Sequence, residues 1–157
     1  QGALLGLLDA DDELLPGYVA TMSAFVDAHP DYDIYTCNAW LETIDGVRTR
    51  YAEDPEGRPW VSMKLADYLR GERYLFAGGA LIRRELFDSL GGFRPEYYCE
   101  DVDFWGRALA AGARHIFCPE VLVRYNIGGA GQKTADIAAK IDGTIEAPHG
   151  MRIERGA

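Results

Sequence analysis

A short apolar run that ends in a cluster of carboxylates constrains the fold of this chain more than any other feature. Residues 4–8 are Leu-Leu-Gly-Leu-Leu, and four of the five residues at 9–13 are acidic. A bounded apolar run of this length predicts a buried strand of a parallel sheet. Because open α/β sheets bind their ligands beyond the carboxyl ends of the strands, we expect a binding site at residues 9–13.

Asp9 and Asp11 are the candidate ligands within this cluster. They lie two positions apart, so in an extended chain both side chains can face the same way. Their oxygens suit Mg²⁺ or Mn²⁺ that carries the phosphates of a substrate. Alternatively, the acidic residues only cap the following helix and interact with its dipole. An EF-hand is excluded because, counted from Asp9, Leu14 stands where that loop needs Gly and Ala20 where it needs Glu.

The composition indicates one folded domain that does not bind nucleic acid. The 157 residues are 48% hydrophobic, and the net charge is −9. The chain has no basic stripe to neutralise phosphates, so a phosphate substrate needs a divalent cation between it and the protein. Cys37, Cys99 and Cys118 are too few and too widely spaced for a disulfide framework or a zinc site, which favours a reducing compartment.

The ends of the chain bear on its location and its division into parts. Since neither a membrane-spanning apolar run nor a signal peptide is visible, we expect a cytoplasmic protein, with any membrane attachment through regions outside this chain. The first residue, Gln1, suggests that the sequence starts inside a longer polypeptide. We expect residues 1–142 to form the folded portion and assign no structure to the tail 143–157.

Hydrophobic spacing and turn residues predict an alternation of helices and strands. The predicted helices cover 16–28, 60–70, 85–90, 134–141 and a segment that begins at Glu100. The predicted strands cover 33–41, 47–52, 114–118 and 121–125, with Asp45-Gly46 as a hairpin turn and 54–59 as a loop.

A second acidic pair, Glu100-Asp101, follows an aromatic, glycine-rich loop. Carboxylates at a helix start are stabilised by the backbone amides, and the same position suits a general base because it is fixed and partly open. The Gly78-Gly79 pair precedes a short apolar strand and allows close approach by a ligand or by neighbouring groups of the protein. The local patterns leave these alternatives open.

The order of these motifs resembles that of the inverting glycosyltransferases of family 2, which have the GT-A fold. Many members carry LDADD with a following Pro, then GGF, then ED-x-DF-x-x-R and a Gly. Here the corresponding residues are 8–12 with Pro16, 91–93, and 100–107 with Gly112. The resemblance covers about residues 1–127, and it depends on the joint order and spacing of motifs that are individually weak.

The resemblance implies an α/β, GT-A-like fold with a mixed, mostly parallel sheet flanked by helices, and it implies that the N-terminal nucleotide-binding strands are absent. The implied activity is transfer of a sugar, with inversion, from a nucleotide-diphosphate sugar to a hydroxyl of a glycan, lipid or protein acceptor. Such a transferase would serve in the synthesis of a polysaccharide or another glycan. The chain alone is expected to be poorly active because the nucleobase contacts lie in the missing half.

The family's functional residues map onto specific positions of this chain. Asp9 and Asp11 would bind the donor's diphosphate with Mn²⁺ or Mg²⁺, with Asp11 as the direct metal ligand. Asp101 would be the general base that takes the acceptor's proton, and Glu100 would orient the acceptor or the base. The Gly78-Gly79 pair would let the donor approach the backbone.

The chain also departs from the family pattern. Many members have YR-x-H after the last core strand, with a His that completes the metal site, but Gly128 stands at that position here. His115 precedes a strand and is no obvious substitute, so the third metal ligand is unassigned. Tyr97 and Tyr98 offer flat surfaces for a sugar, and Trp105 is expected in the core.

Two other functions and one interaction follow from the same patterns. A non-catalytic sugar-binding or assembly module would use the acidic pairs as helix caps only. A nucleotidyltransferase or pyrophosphorylase would need an early glycine-rich, basic loop, which this chain lacks. Because the missing strands leave an exposed sheet edge, we expect self-association through Ala3–Leu8 to give a homo-oligomer.

Overall fold

The computed structural model describes residues 2–51, 62–70, 75, 77–96 and 99–127. The predicted loop at 54–59, the predicted helix at 134–141 and the tail at 143–157 lie outside the described residues. Within those ranges, no helix is both long enough and apolar enough to cross a membrane.

The described chain contains six strands and four helices. The strands are β1 (Leu4–Gly6), β2 (Glu13–Leu14), β3 (Ile34–Thr43), β4 (Arg48–Arg50), β5 (Leu81–Arg83) and β6 (His115–Ile127). The helices are α1 (Tyr18–Ala28), α2 (Leu65–Leu69), α3 (Arg84–Ser89) and α4 (Glu100–Ala110). The predicted helix over 16–28, the hairpin turn and the helix that begins at Glu100 are confirmed.

One mixed sheet organises the fold, with the strand order β1-β5-β3-β6-β2 and with β4 paired to β3. The mixed α/β class is confirmed, but the prediction of a mostly parallel sheet is wrong for the described residues, because four of their five pairings are antiparallel and only β3 and β6 run in parallel. The chain enters β5 through a turn that reverses its direction. In that turn Gly79 N–H donates to the Leu7 carbonyl and Leu7 N–H donates to the Ala80 carbonyl.

β1 differs from the buried strand that its apolar sequence predicts. Leu4 and Leu5 are half-buried, and Gly6 is exposed. Within the described part of the sheet, β1 pairs with β5 alone. The strand therefore lies at one end of the described strand order, which explains why so apolar a segment is incompletely covered.

β6 is one long strand where the sequence predicts two. Its pairing with β3 shifts register between Cys37 and Ala39, where Pro119 and Glu120 bulge outward. The Asn38 side chain bridges this irregularity, because its Oδ1 accepts the Ala39 N–H at 2.9 Å and its Nδ2 donates to the Pro119 carbonyl at 3.5 Å. The bulge accommodates Pro119, which has no N–H to donate to a neighbouring strand. The strand then continues to Ile127.

Apolar clusters cover both faces of the central strand β3, whose residues 34–39 are all buried. α1 packs on one cluster through Tyr18, Met22 and Val26. α4 packs on the other through Phe104 and Trp105. Trp105 is therefore a core residue, as the sequence predicts, and the burial of α4 fixes the direction of its acidic N-terminus.

Candidate active site

The acidic residues after β1 form a tight turn. Asp12 N–H donates to the Asp9 carbonyl at 3.1 Å, and β2 then begins at Glu13 by pairing with Arg124 of β6. Asp9 and Asp11 are exposed, whereas Asp12 is partly buried. The turn therefore presents two carboxylates to solvent and directs the third toward the protein.

Residues 9–12 form what we call the acidic loop, and Asp12 is its partly buried member. Its Oδ1 accepts the Asn126 N–H at 3.2 Å. Its Oδ2 is buried and has no hydrogen-bond partner among the described residues. Burial raises the pKa of Asp12 to about 7; the bond from Asn126 opposes the shift, and the charges of Asp9 and Asp11 add to it. The environment of this loop is thus short of positive charge.

Asp101 lies in the first turn of α4. Burial raises the pKa of its carboxyl group, and the charges of Glu100 and Asp9 raise it further, against hydrogen bonds from the backbone amides of Val102 and Asp101 itself. The charge of Asp9 is the smallest of these influences, and it indicates that the two acidic motifs, far apart in sequence, lie within electrostatic range of each other. Glu100 is the adjacent residue and is partly buried.

Tyr51 lies within electrostatic range of this acidic region. The pKa of Tyr51 is raised mainly by burial, with smaller contributions from Tyr125 and Asp101. Tyr51 follows β4 and donates its backbone N–H to the Ala39 carbonyl at 2.9 Å. The phenol group of Tyr51 therefore lies near the candidate base, with that of Tyr125 in turn near Tyr51, and neither is evident from the motif pattern.

Two ion pairs, from Arg94 and Arg107 to Asp103, stabilise the first turn of α4. Burial raises the pKa of Asp103, but hydrogen bonds from Arg94 and Arg107 outweigh that effect and lower it overall. Arg107 also donates to the Leu90 carbonyl at 2.8 Å and the Gly92 carbonyl at 2.7 Å. The GGF and D-x-x-x-R motifs are therefore linked in the structure, because Arg107 joins the glycine loop to the helix that carries Asp101.

Gly79 has a packing role. It is buried with φ at +76°, and an added Cβ would lie 2.4 Å from Val123 Cγ2. Its carbonyl accepts the Tyr18 hydroxyl at 2.7 Å. Packing alone therefore accounts for this glycine, while donor contact by Gly79 or by the buried Gly78 stays a prediction.

The described residues include carboxylates that could bind a cation, but they do not form a complete set of metal ligands. Among them, no three His, Cys, Asp or Glu side chains gather as a ligand set. The exposed Asp9 and Asp11, beside the unpartnered oxygen of Asp12, suit Mg²⁺ or Mn²⁺ held mainly by substrate phosphates and water. Gly128, Tyr97 and Tyr98, to which the sequence analysis also assigns roles, lie outside the described residues.

His115 does not supply the missing ligand. It is buried at the start of β6, on the order of 30 Å along the strand from Asn126. Its Nδ1 accepts the Met63 N–H at 2.8 Å, and its Nε2 lies 2.7 Å from Thr36 Oγ1. Desolvation lowers its pKa to about 3, so this imidazole is a neutral core group with both nitrogens used.

Comparisons with known proteins agree with this geometry. The sequence model of glycosyl transferase family group 2 matches residues 5–129. The uncharacterized protein MT1568 of Mycobacterium tuberculosis (strain CDC 1551 / Oshkosh) is 29% identical over 138 residues, which are 79% of this chain and 42% of that protein. The crystal structure of S. aureus TarS 1-349 in complex with UDP-GlcNAc matches with a TM-score of 0.62 at 14% identity, over 86% of this chain and 38% of that chain. The chain thus spans about two fifths of the length of each relative, and the TarS match shows that the fold is GT-A-like.

Proposed function

Because the chain belongs to glycosyl transferase family group 2, we propose that it transfers a sugar from a nucleotide-diphosphate sugar to an acceptor hydroxyl with inversion. The family supports glycosyl transfer, and the complex of TarS with UDP-GlcNAc supports a nucleotide sugar as donor. Inversion, a divalent cation and an acceptor on a glycan, lipid or protein are the parts of the proposal that go beyond the family.

The observation that carries the proposal is that the charge of Asp9 acts on the Asp101 carboxyl group. Burial is the largest cause of the raised pKa of Asp101, and the charge of Asp9 is the smallest. A diphosphate site and a base for the acceptor must lie within one sugar ring of each other for a single displacement. Two acidic motifs that served only as unrelated helix caps would have no reason to converge.

Asp101 would act as the general base. Its carboxylate would take the proton of the acceptor hydroxyl while that oxygen forms a bond to the anomeric carbon. The bond from the anomeric carbon to the diphosphate oxygen would break in the same step, and the nucleoside diphosphate would leave. A carboxyl group whose pKa is raised above its usual range by burial is the stronger base for this task. Glu100, the next residue, would orient the acceptor or the base.

Asp9 and Asp11 would hold Mn²⁺ or Mg²⁺, with Asp11 as the direct ligand. The ion would supply positive charge to the departing diphosphate. The unpartnered oxygen of Asp12 and the mutual repulsion of the three carboxylates make this loop suited to a cation. The side chains themselves would fix the ion's position and keep the acidic loop turned toward Asp101.

The test is release of UDP from UDP-sugars with Mn²⁺, measured on the longest natural polypeptide that carries this sequence, with GDP- and TDP-sugars assayed in parallel. We expect Asp11→Ala to abolish Mn²⁺-dependent release. We expect Asp101→Asn to lower turnover by about 10²- to 10⁴-fold while UDP binding is retained. Full activity of Asp101→Asn would refute the base role, and metal-independent glycan binding without turnover would favour the non-catalytic module.

A further inference from the structure

Asn126, near the end of β6, makes two contacts with the acidic loop. Its side-chain Nδ2 donates to the Asp11 carbonyl at 2.5 Å. Its backbone N–H donates to Asp12 Oδ1 at 3.2 Å. These contacts join residues that are 115 and 114 positions apart in sequence, so Asn126 connects the last strand of the sheet to the candidate diphosphate site.

The side-chain bond fixes the part of the loop that decides where the carboxylates point. A hydrogen bond to the Asp11 carbonyl holds the peptide plane between Asp11 and Asp12, and the orientation of that plane sets the directions of both side chains. The Asp12 N–H bond to the Asp9 carbonyl closes the turn from the other side. Without the amide of Asn126, repulsion among the carboxylates would favour a more open loop.

Asparagine is uncharged, and this matters at position 126. A lysine or arginine could donate the same bond, but its charge would neutralise the loop and compete with a divalent cation. The nearest arginine of the strand, Arg124, is instead paired with Glu13 at 2.5 Å and lies 3.3 Å from Glu42. Asn126 therefore orders the loop while leaving its negative potential intact.

We propose that Asn126 is a positioning residue that holds the acidic loop in the conformation in which Asp11 meets the metal–diphosphate of the donor. The proposal rests on the proposed function for the identity of the ligand. The ordering of the loop itself does not depend on that function and can be measured separately.

The first measurement is amide hydrogen exchange of the ligand-free protein, followed by mass spectrometry of a peptide that spans the acidic loop. Asn126→Ala removes the bond to the Asp11 carbonyl and keeps the backbone bond to Asp12. We expect about tenfold faster exchange in the loop, as the loss of one hydrogen bond implies. The matched control is Ser89→Ala, which removes an exposed side-chain bond to the Leu86 carbonyl within α3; it should leave the loop unchanged.

The second measurement is calorimetric binding of UDP in the presence of Mn²⁺, with donor kinetics. We expect Asn126→Ala to weaken binding and raise the donor KM by about tenfold with little change in kcat. Higher Mn²⁺ concentrations should restore the donor KM, which a general loss of stability would not allow. Unchanged exchange, or wild-type affinity in Asn126→Ala, overturns the inference alone. A wild-type protein that binds no nucleoside diphosphate with Mn²⁺ overturns the proposed function and the inference with it.

Discussion

Gly79 shows how one residue can constrain the approach of three elements. Its positive φ and the 2.4 Å distance from a built Cβ to Val123 Cγ2 act together against any side chain. We predict that Gly79→Ala lowers the free energy of unfolding by about 3 kcal/mol, from backbone strain plus overpacking. Urea unfolding at equilibrium measures this loss.

Gly91 provides the control for that substitution. It has φ at +74°, but a Cβ there would meet nothing within 4 Å. Gly91→Ala should therefore lower the free energy of unfolding by only about 1 kcal/mol, because backbone strain at positive φ is the sole cost. Equal losses for the two variants would mean that the contact with Val123 relaxes and that conformation alone determines the requirement for glycine.

His115 makes the stability of the fold depend on pH. Because its Nδ1 accepts the Met63 N–H, the proton of the neutral ring is on Nε2, which donates to Thr36 Oγ1. Desolvation lowers the pKa to about 3 in the folded state, against about 6.5 in the unfolded chain. The unfolded state therefore binds the proton first, and this contribution to stability is complete above pH 6.5 and is lost as the pH falls from 6.5 toward 3.

We predict the size of this effect from the pH dependence of urea unfolding. Between pH 7 and pH 5, the wild-type protein should lose about 2 kcal/mol through His115 alone. His115→Gln removes the titrating group, so the difference in unfolding free energy between wild type and variant should shrink by that amount over the same range. Parallel pH profiles of the two proteins would contradict the prediction.

At the level of the element, the N-terminus of α4 depends on Arg107. This side chain is 20% exposed and Asp103 is 12% exposed, so the pair is largely withdrawn from water. We predict that Arg107→Ala lowers the free energy of unfolding by about 3 kcal/mol, because a largely buried carboxylate loses a partner and the Leu90 and Gly92 carbonyls lose a donor. Arg107→Lys should recover only part of this loss, since lysine cannot form the same fork.

Arg70 is the matched control for Arg107. It forms an ion pair with Asp67 three positions earlier on α2, and its side chain is 53% exposed. Solvated pairs of this kind contribute little, so Arg70→Ala should change the unfolding free energy by no more than about 0.5 kcal/mol. If both substitutions had the same effect, burial of the Asp103 pair would not be the source of its stability.

The elements that the sequence predicts correctly are those whose signals are local. α1 follows from apolar spacing after Pro16, and the β3–β4 hairpin follows from Asp45-Gly46. The interpretation fails where a distant partner decides the structure. Pro119 predicts a break in β6, but the parallel pairing with β3 continues past it through a bulge.

The candidate site likewise contains residues that the sequence predicts and residues that it does not. Asp9, Asp11 and Asp101 could be proposed from motif order, because each lies in a short recognisable pattern. The roles of Asp12 and Asn126 could not, because their contact joins positions 114 apart and has no sequence signal. For Gly79, a pattern of two glycines left ligand contact and packing open, and only the distance to Val123 identifies packing as a sufficient reason.

For the molecule as a whole, the edge at β1 determines how copies would meet. Among the described strands β1 pairs only with β5, and Leu8 just beyond it is 48% exposed. We predict concentration-dependent self-association through Ala3–Leu8, measured by sedimentation velocity. Because the net charge of −9 repels the copies, added salt should strengthen association by screening it.

Leu8→Lys should shift the protein toward monomer, because a charged side chain at a sheet edge opposes strand pairing between copies. Val19→Lys introduces the same side chain on α1 at a residue that is 71% exposed, and it should leave association unchanged. If both variants dissociated alike, the change in net charge would be the cause and the edge would not be the interface. A wild-type protein that stays monomeric at high concentration and high salt would exclude pairing at β1 altogether, and the strand would then have to be covered within the same polypeptide.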